Sequence, residues 1–246
     1  MSAINYVYNQ GCGRISPSVM TGEAMRKNTL GLGGDGDDVG FVEAVGAAFG
    51  ITFDKEPETW STFGDVFDTI CRHMQPVDRG ALPCLSASAY RRLRRAIVGI
   101  RPNSDVRPDT PLKELIGHEG VSHWWRGLER DTGLNLPRLT VANWAALLFF
   151  GLLFAVPGVA VVNGLPGWMA VLFPACWLFA LRWLPSRPPV RTVGDLARAV
   201  AALNAKAMSE MHGTMRTRDV WDSLVWIARE ISGHKGPIDR ETTLLA

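Results

Sequence analysis

The chain has 246 residues, 26 Lys and Arg against 24 Asp and Glu, and a formal net charge of +2, so it lacks the basic excess that drives nucleic-acid binding. Its four cysteines, Cys12, Cys71, Cys84 and Cys176, have neither metal-ligand spacing nor the density of a disulfide framework. The near-balance conceals two blocks. Asp35, Asp37, Asp38, Glu43, Asp54, Glu56, Glu58, Asp65 and Asp68 face Lys55 alone between Thr29 and Ile70, whereas Arg91, Arg92, Arg94, Arg95, Arg101 and Arg107 crowd the middle of the chain.

Residues 1–28 have no periodicity, are broken by Gly11, Gly13, Pro17 and Gly22, and are expected to be loosely ordered, with a short helix near Glu23 to Lys27. Val39, Val42, Val45 and Phe49 then recur at helical spacing up to Gly50, and Ile51 and Phe53 follow. Thr62 caps a second helix that buries Phe63, Val66, Phe67 and Ile70. Residues 76–88 are expected to be a linker. Tyr90, Leu93, Ile97 and Ile100 form an apolar stripe with arginines opposite, and Pro102 to Pro111 is rich in turn formers. Val121, one of Trp124 and Trp125, and Leu128 predict a helix ending near Gly133, followed by Leu134 and Leu136. Adjacent helix positions do not share a face, so at most one tryptophan is expected to be deeply buried and the other to meet the membrane surface or a partner, Trp125 being the partner-binding candidate.

From Leu139 to Leu181 no residue is charged. Two apolar segments, Trp144 to Val162 and Trp168 to Leu184, are joined by Asn163-Gly-Leu-Pro-Gly167, and roughly 20 apolar residues cross a bilayer. A two-helix transmembrane hairpin over 139–184 is the expectation, with Trp144 and Trp183 near one interface and Trp168 near the other. Arg126, Arg130 and Arg138 precede it, Arg182, Arg187 and Arg191 follow it, and its loop has no Lys or Arg, which predicts two passes with both termini cytoplasmic. Beyond the hairpin, Thr192 caps a helix burying Val193, Leu196, Val200 and Leu203. Residues 206–216 are expected to be a second linker, and the last helix presents Trp221, Leu224, Ala228 and Ile231. No segment alternates with a period of two, so the class is all-α.

Two echoes run through the chain. Thr62-Phe-Gly-Asp-Val66 recurs as Thr192-Val-Gly-Asp-Leu196, and Val106-Arg-Pro-Asp-Thr-Pro-Leu112 recurs as Ile238-Asp-Arg-Glu-Thr-Thr-Leu244, which indicates a duplicated unit. At these residues the sequence resembles the acyl carrier protein superfamily. Its four-helix unit has a long first loop, a second helix opening at a modified serine and a last helix often opened by Thr-Val-Gly-Asp. The resemblance implies a carrier-like unit B, with 89–138 as its first half and 189–205 as its last helix, interrupted by the hairpin. It also implies a unit A circularly permuted from the chain ends, 29–75 being completed by 217–246.

The family's phosphopantetheine is carried on a serine in Asp-Ser-Leu. The matching stretches here are Gly34-Asp-Gly-Asp-Asp38 and Ile116-Gly-His-Glu-Gly120, neither of which has a serine. The resemblance is to carrier-like bacterial proteins in which Gly-Asp-Asp takes that place. It implies no cofactor and no enzyme, but a non-enzymatic adaptor at the inner membrane that binds a protein partner through Asp35, Asp37, Asp38, Glu43 and Trp125. Membrane lipid meets Trp144, Trp168, Trp183, Arg138 and Arg182 in this reading. The alternative is an active carrier that holds phosphopantetheine on Ser122.

Other motifs carry less. Gly31-Leu-Gly-Gly-Asp-Gly36 satisfies G-x-G-x-x-G, but no strand precedes it and its aspartates repel phosphate, so acidic capping of a helix is the better expectation. The acidic cluster lacks EF-hand spacing. His118-Glu119 and His123 do not share the face a zinc-protease helix needs.

Overall fold

The computed structural model describes residues 28–33, 36–78, 83–116, 120–141 and 186–245. The segments 1–27 and 142–185 lie outside the described residues, and with them the short helix near Glu23, both hairpin helices, Trp144, Trp168, Arg182 and Trp183. Asp35, His118 and Glu119 lie outside as well. The described chain is predominantly helical: α1 Asp37–Phe49, a 3-10 turn Glu56–Thr59, α2 Phe63–Met74, α3 Leu85–Ile100, α4 Leu112–Ile116, α5 Val121–Thr132, α6 Val193–Leu203, α7 Ala205–His212 and α8 Thr217–Ser232.

Both predicted threonine caps form, and as reciprocal capping boxes. Thr62 Oγ1 accepts from the Asp65 N–H at 3.3 Å while the Asp65 carboxylate accepts from the Thr62 N–H at 2.8 Å. Thr192 and Asp195 repeat this at 3.1 and 3.2 Å. Each box satisfies donors that the first helical turn leaves without a partner.

The duplication extends to the loops. The N–H groups of Phe63 and Gly64 donate to the carbonyls of Thr242 and Arg240, and those of Val193 and Gly194 donate to Thr110 and Pro108. Leu244 N–H reaches Ser61 and Leu112 N–H reaches Arg191. Within the loops, the Asp239 and Arg107 N–H groups donate to Thr242 Oγ1 and Thr110 Oγ1, each at 2.9 Å. The two chain regions with echoing sequences therefore make the same bonds at equivalent atoms.

The C-terminal helix packs on α1 and α2 of the same chain. Trp221 meets the rings of Phe63 and Phe67 edge to face, with centroids 5.1 and 5.2 Å apart. Beyond α8 the chain is stitched to the N-terminal region: Leu30 and Leu32 donate to the Thr243 and Leu244 carbonyls, and Thr243 donates to Asn28, each at 2.9 Å. Asn28, expected in a loosely ordered segment, is held further by bonds from its amide to Pro237 O and Thr242 Oγ1.

A single contiguous core runs through both halves. Its centre is α6, which packs against α3 on one side and α8 on the other. The stripe Val193, Leu196 and Val200 supplies one face; Ala197, Ala199, Ala201 and Ala202, also buried, supply the rest, and their small side chains let neighbours approach from two sides.

Several expectations need correction. The buried face of α1 is Phe41, Val45, Ala48 and Phe49, and Val39 is 57% exposed, because the core approaches α1 from the side of α8. On α8 the face turns likewise toward Val220, Leu224, Ile227 and Ala228, leaving Trp221 and Ile231 half-buried. The first linker is partly helical, since α3 begins at Leu85. The second is mostly helical, since α7 covers Ala205–His212, anchored by Met208, with Asn204 between α6 and α7. Ala, Lys, Met and Glu are good helix formers, and the buried Asn204 amide exchanges hydrogen bonds with the Asn135 backbone at 2.9 Å, fixing the break.

A short antiparallel pair also forms where only helices were expected: Thr140–Val141 pairs with Ser186–Arg187, Thr140 opposite Arg187. It claims Thr140 and Val141, which had been assigned to the hairpin, and sets Val141 opposite Ser186. Among the described residues, no helix is long and apolar enough to cross a membrane.

Candidate functional site

Helices α1 and α5 share two features at their starts. Each follows a glycine at positive φ, Gly36 at 81° and Gly120 at 87°, without a side-chain cap. Acidic capping of α1 is therefore corrected: Asp37 and Asp38 lie exposed in its first turn, where they suit the helix dipole, but neither accepts a capping bond. Glu43 is exposed on the next turns. No salt bridge among the described residues reaches these three acids. At the other start, Ser122 is exposed in the first turn of α5. The Gly31 loop spends the N–H groups of Leu30 and Leu32 on Thr243 and Leu244, so they are not free to cradle a phosphate.

Trp125 does not belong to a partner-binding surface. Trp124 and Trp125 are both buried, 2% and 5% exposed, because 134–137 folds back beneath α5 and covers a second face of the helix. Trp125 Nε1 donates to Pro137 O at 3.1 Å. Leu134 and Leu136 are buried in that turn, and Arg138, just beyond it, is exposed.

An open groove of about 740 Å³ lies between α3 and α7. Arg91, Arg92, Arg94 and Arg95 line it, and no salt bridge among the described residues pairs any of them. Arg91 with Arg94, Arg91 with Arg95 and Arg92 with Arg95 are like charges at i,i+3 or i,i+4, and each such pair costs a helix about 0.2–0.5 kcal/mol. Structural stability gives no reason for that concentration. Val98 and Met211 add apolar surface, Met211 being 49% exposed, and Arg92 Nη1 lies 3.0 Å from Met211 Sδ; Met208 beside them is 0% exposed and belongs to the core. His212 lines the same groove, and its Nε2 is shielded from solvent with no hydrogen-bond partner among the described residues.

Sequence reasoning found the arginines but not the groove, because its second wall is α7. The spacing of Ala205, Met208 and His212 was the available signal. Arg92 and Arg95 also border a smaller groove with Asp131 and Thr132 at the end of α5. Helix α5 in turn packs on the Ser186–Arg187 strand.

The capping carboxylates tie the fold to pH. Asp65 is held below its ordinary pKa, chiefly by the Thr62 N–H. For Asp195, burial alone acts upward, and the Thr192 hydroxyl, Arg198 and the Thr192 N–H together outweigh it, so the net direction is also down. A lowered folded pKa contributes stability that is complete above the unfolded value, about 3.9, and disappears as pH falls through the folded value. Thermal melts should show midpoints falling below about pH 4, with a shallower acid limb in Asp65→Asn than in the parent chain. An unchanged acid limb would remove Asp65 from this role.

Comparison of the chain with family models, with curated proteins and with solved structures finds no match.

Proposed function

We propose that this chain is a membrane-anchored, non-enzymatic adaptor: two acyl-carrier-like units, one circularly permuted, held on the cytoplasmic face of the inner membrane by the charge-free segment within 139–184. The observation that carries the reading is the antiparallel pair closing the base of that segment, Thr140 opposite Arg187, between α5 and α6. A hairpin inserted into a helical unit must leave and return at one place, as this pair does. The equivalent bonds made by the two echoing regions support the carrier-like duplication. Asp37, Asp38 and Glu43, exposed and without ion pairs, are the surface offered to a basic protein partner.

Alkaline carbonate extraction and cysteine labelling test the anchor. The chain should stay in the membrane pellet. With its four cysteines replaced, a cysteine at the exposed Glu210 should resist an impermeant maleimide in intact cells and react after permeabilisation. Recovery in the carbonate supernatant, or labelling of intact cells, would refute the reading.

The second reading, an active phosphopantetheine carrier, draws on the exposed position of Ser122 in the first turn of α5. Ser122 is preceded by Val121 and followed by His123, not framed by Asp and Leu. Incubation with coenzyme A and a phosphopantetheinyl transferase should give no mass gain. An adduct mapped to Ser122 would establish the carrier reading instead.

A further inference from the structure

We propose that this chain pairs with a second copy of itself, the first two turns of α1 from one copy lying in the groove between α3 and α7 of the next. The inference rests on the reading above in one respect: it names the basic protein partner to which Asp37, Asp38 and Glu43 are offered. On α1, Asp37 and Asp38 stand exposed at the helix tip. Val39 and Glu43, four residues apart, share a face turned away from the core, and the exposed Ala47 continues it. Gly40 beside them has open space where a Cβ would stand, so another helix can come close. On α3, Arg91 and Arg94 are exposed along the groove, and Met211 of α7 stands 49% exposed on the opposite wall.

The two faces complement each other in charge and in apolar surface. No salt bridge among the described residues reaches these acids or these arginines, so neither face is neutralised within one copy. Val39 and Met211 are two of the three large hydrophobic side chains exposed among the described residues, and one lies in each face. A helix set into a groove brings such groups together, Val39 against Met211, with Glu43 and the acidic tip toward Arg91 and Arg94. A foreign partner would answer one face and leave the other bare, whereas a second copy answers both. The net charge of +2 opposes the meeting of two copies only weakly, and the opposite faces orient them. Because the faces lie on different helices, the contact is heterologous and leaves one acidic and one basic face free at the ends of an open assembly.

The test uses the full chain in neutral detergent, its association read by sedimentation velocity. The parent chain should associate as its concentration rises, and the apparent Kd should weaken at least about tenfold between roughly 0.1 M and roughly 1 M salt, as the Debye length falls from about 10 Å to about 3 Å. Reversal of the acidic face, Asp38→Lys with Glu43→Lys, and of the basic face, Arg91→Glu with Arg94→Glu, should each leave a monomer. Mixed in equal amounts, the two variants should associate again, since each keeps the face that the other has lost. A parent chain that stays monomeric would overturn the proposal. So would association that neither salt nor either reversal weakens, or variants that stay apart on mixing. Should a variant lose its helical circular dichroism, the salt titration of the unaltered parent still decides. Carbonate extraction separates this pairing from the anchored reading: a monomer that stays in the membrane pellet refutes the pairing alone, and an associating chain released to the supernatant refutes the anchor alone.

Discussion

Leu224→Ala should lower the stability of the folded chain by about 2–5 kcal/mol, the range for truncating a fully buried leucine. Leu224 is 0% exposed on α8, the helix that packs on α1 and α2 from the far end of the sequence. Removing its isopropyl end leaves a void between elements that no short loop connects, so the loss should reach the N-terminal half. The bonds from Leu30 and Leu32 to Thr243 and Leu244 follow α8 directly. Amide exchange at Leu30 and Leu32 should therefore accelerate in Leu224→Ala, while that at Val193 and Gly194, bonded to Thr110 and Pro108, changes less. Thermal melts and hydrogen exchange together check both parts. A loss below about 1 kcal/mol, or equal acceleration at both sets of amides, would contradict this account of how the halves are joined.

The repeat is the part of the fold the sequence showed best. Thr62 and Thr192, each followed by Gly and Asp, have a local chemistry that decides their conformation, and both became capping boxes. The return of α8 to α1 and α2 was also readable, because an amphipathic helix without a local partner has to bury its stripe elsewhere. The rotation of that stripe was not. Val39 is as apolar as Val45, and only the direction from which α8 arrives decides that one is exposed and the other is 0% exposed. Helix α7 escaped for a related reason: its eight residues show the spacing of Ala205, Met208 and His212 only once, and its formation depends on Met208 finding the core.

The same distinction separates the candidate surfaces. Asp37, Asp38 and Glu43 were legible as exposed acids because charged side chains without partners stay in water. Trp125 was misjudged because helical periodicity assumes one buried face, and 134–137 supplies a second by folding beneath α5. The arginine groove needed two walls, and one of them was hidden in an apparent linker.

Gly64→Ala and Gly194→Ala should each destabilise the chain by about 1–3 kcal/mol, the usual cost of forcing a carbon into packed space. The two glycines occupy equivalent places in the repeat, one residue inside helices α2 and α6. A Cβ on Gly64 would stand 2.8 Å from the Arg240 carbonyl oxygen, and one on Gly194 would stand 2.8 Å from that of Pro108. Neither clash is with a flexible side-chain end, so helix and loop must move apart. The bond that each glycine N–H makes to that same carbonyl, 2.9 Å for Gly64 and 2.7 Å for Gly194, must lengthen with them. Helix propensity alone acts in the opposite direction, since alanine is better than glycine in a helix by about 1 kcal/mol, and a net loss therefore isolates the close approach. As an internal control, Gly127→Ala lies in α5 with open space at its Cβ, and should be neutral or stabilising. Melting temperatures of the three variants decide the matter: stabilisation at Gly64 or Gly194 comparable to that at Gly127 would mean that these loops do not rest on their helices, and that the echoing sequences do not reflect a shared structure.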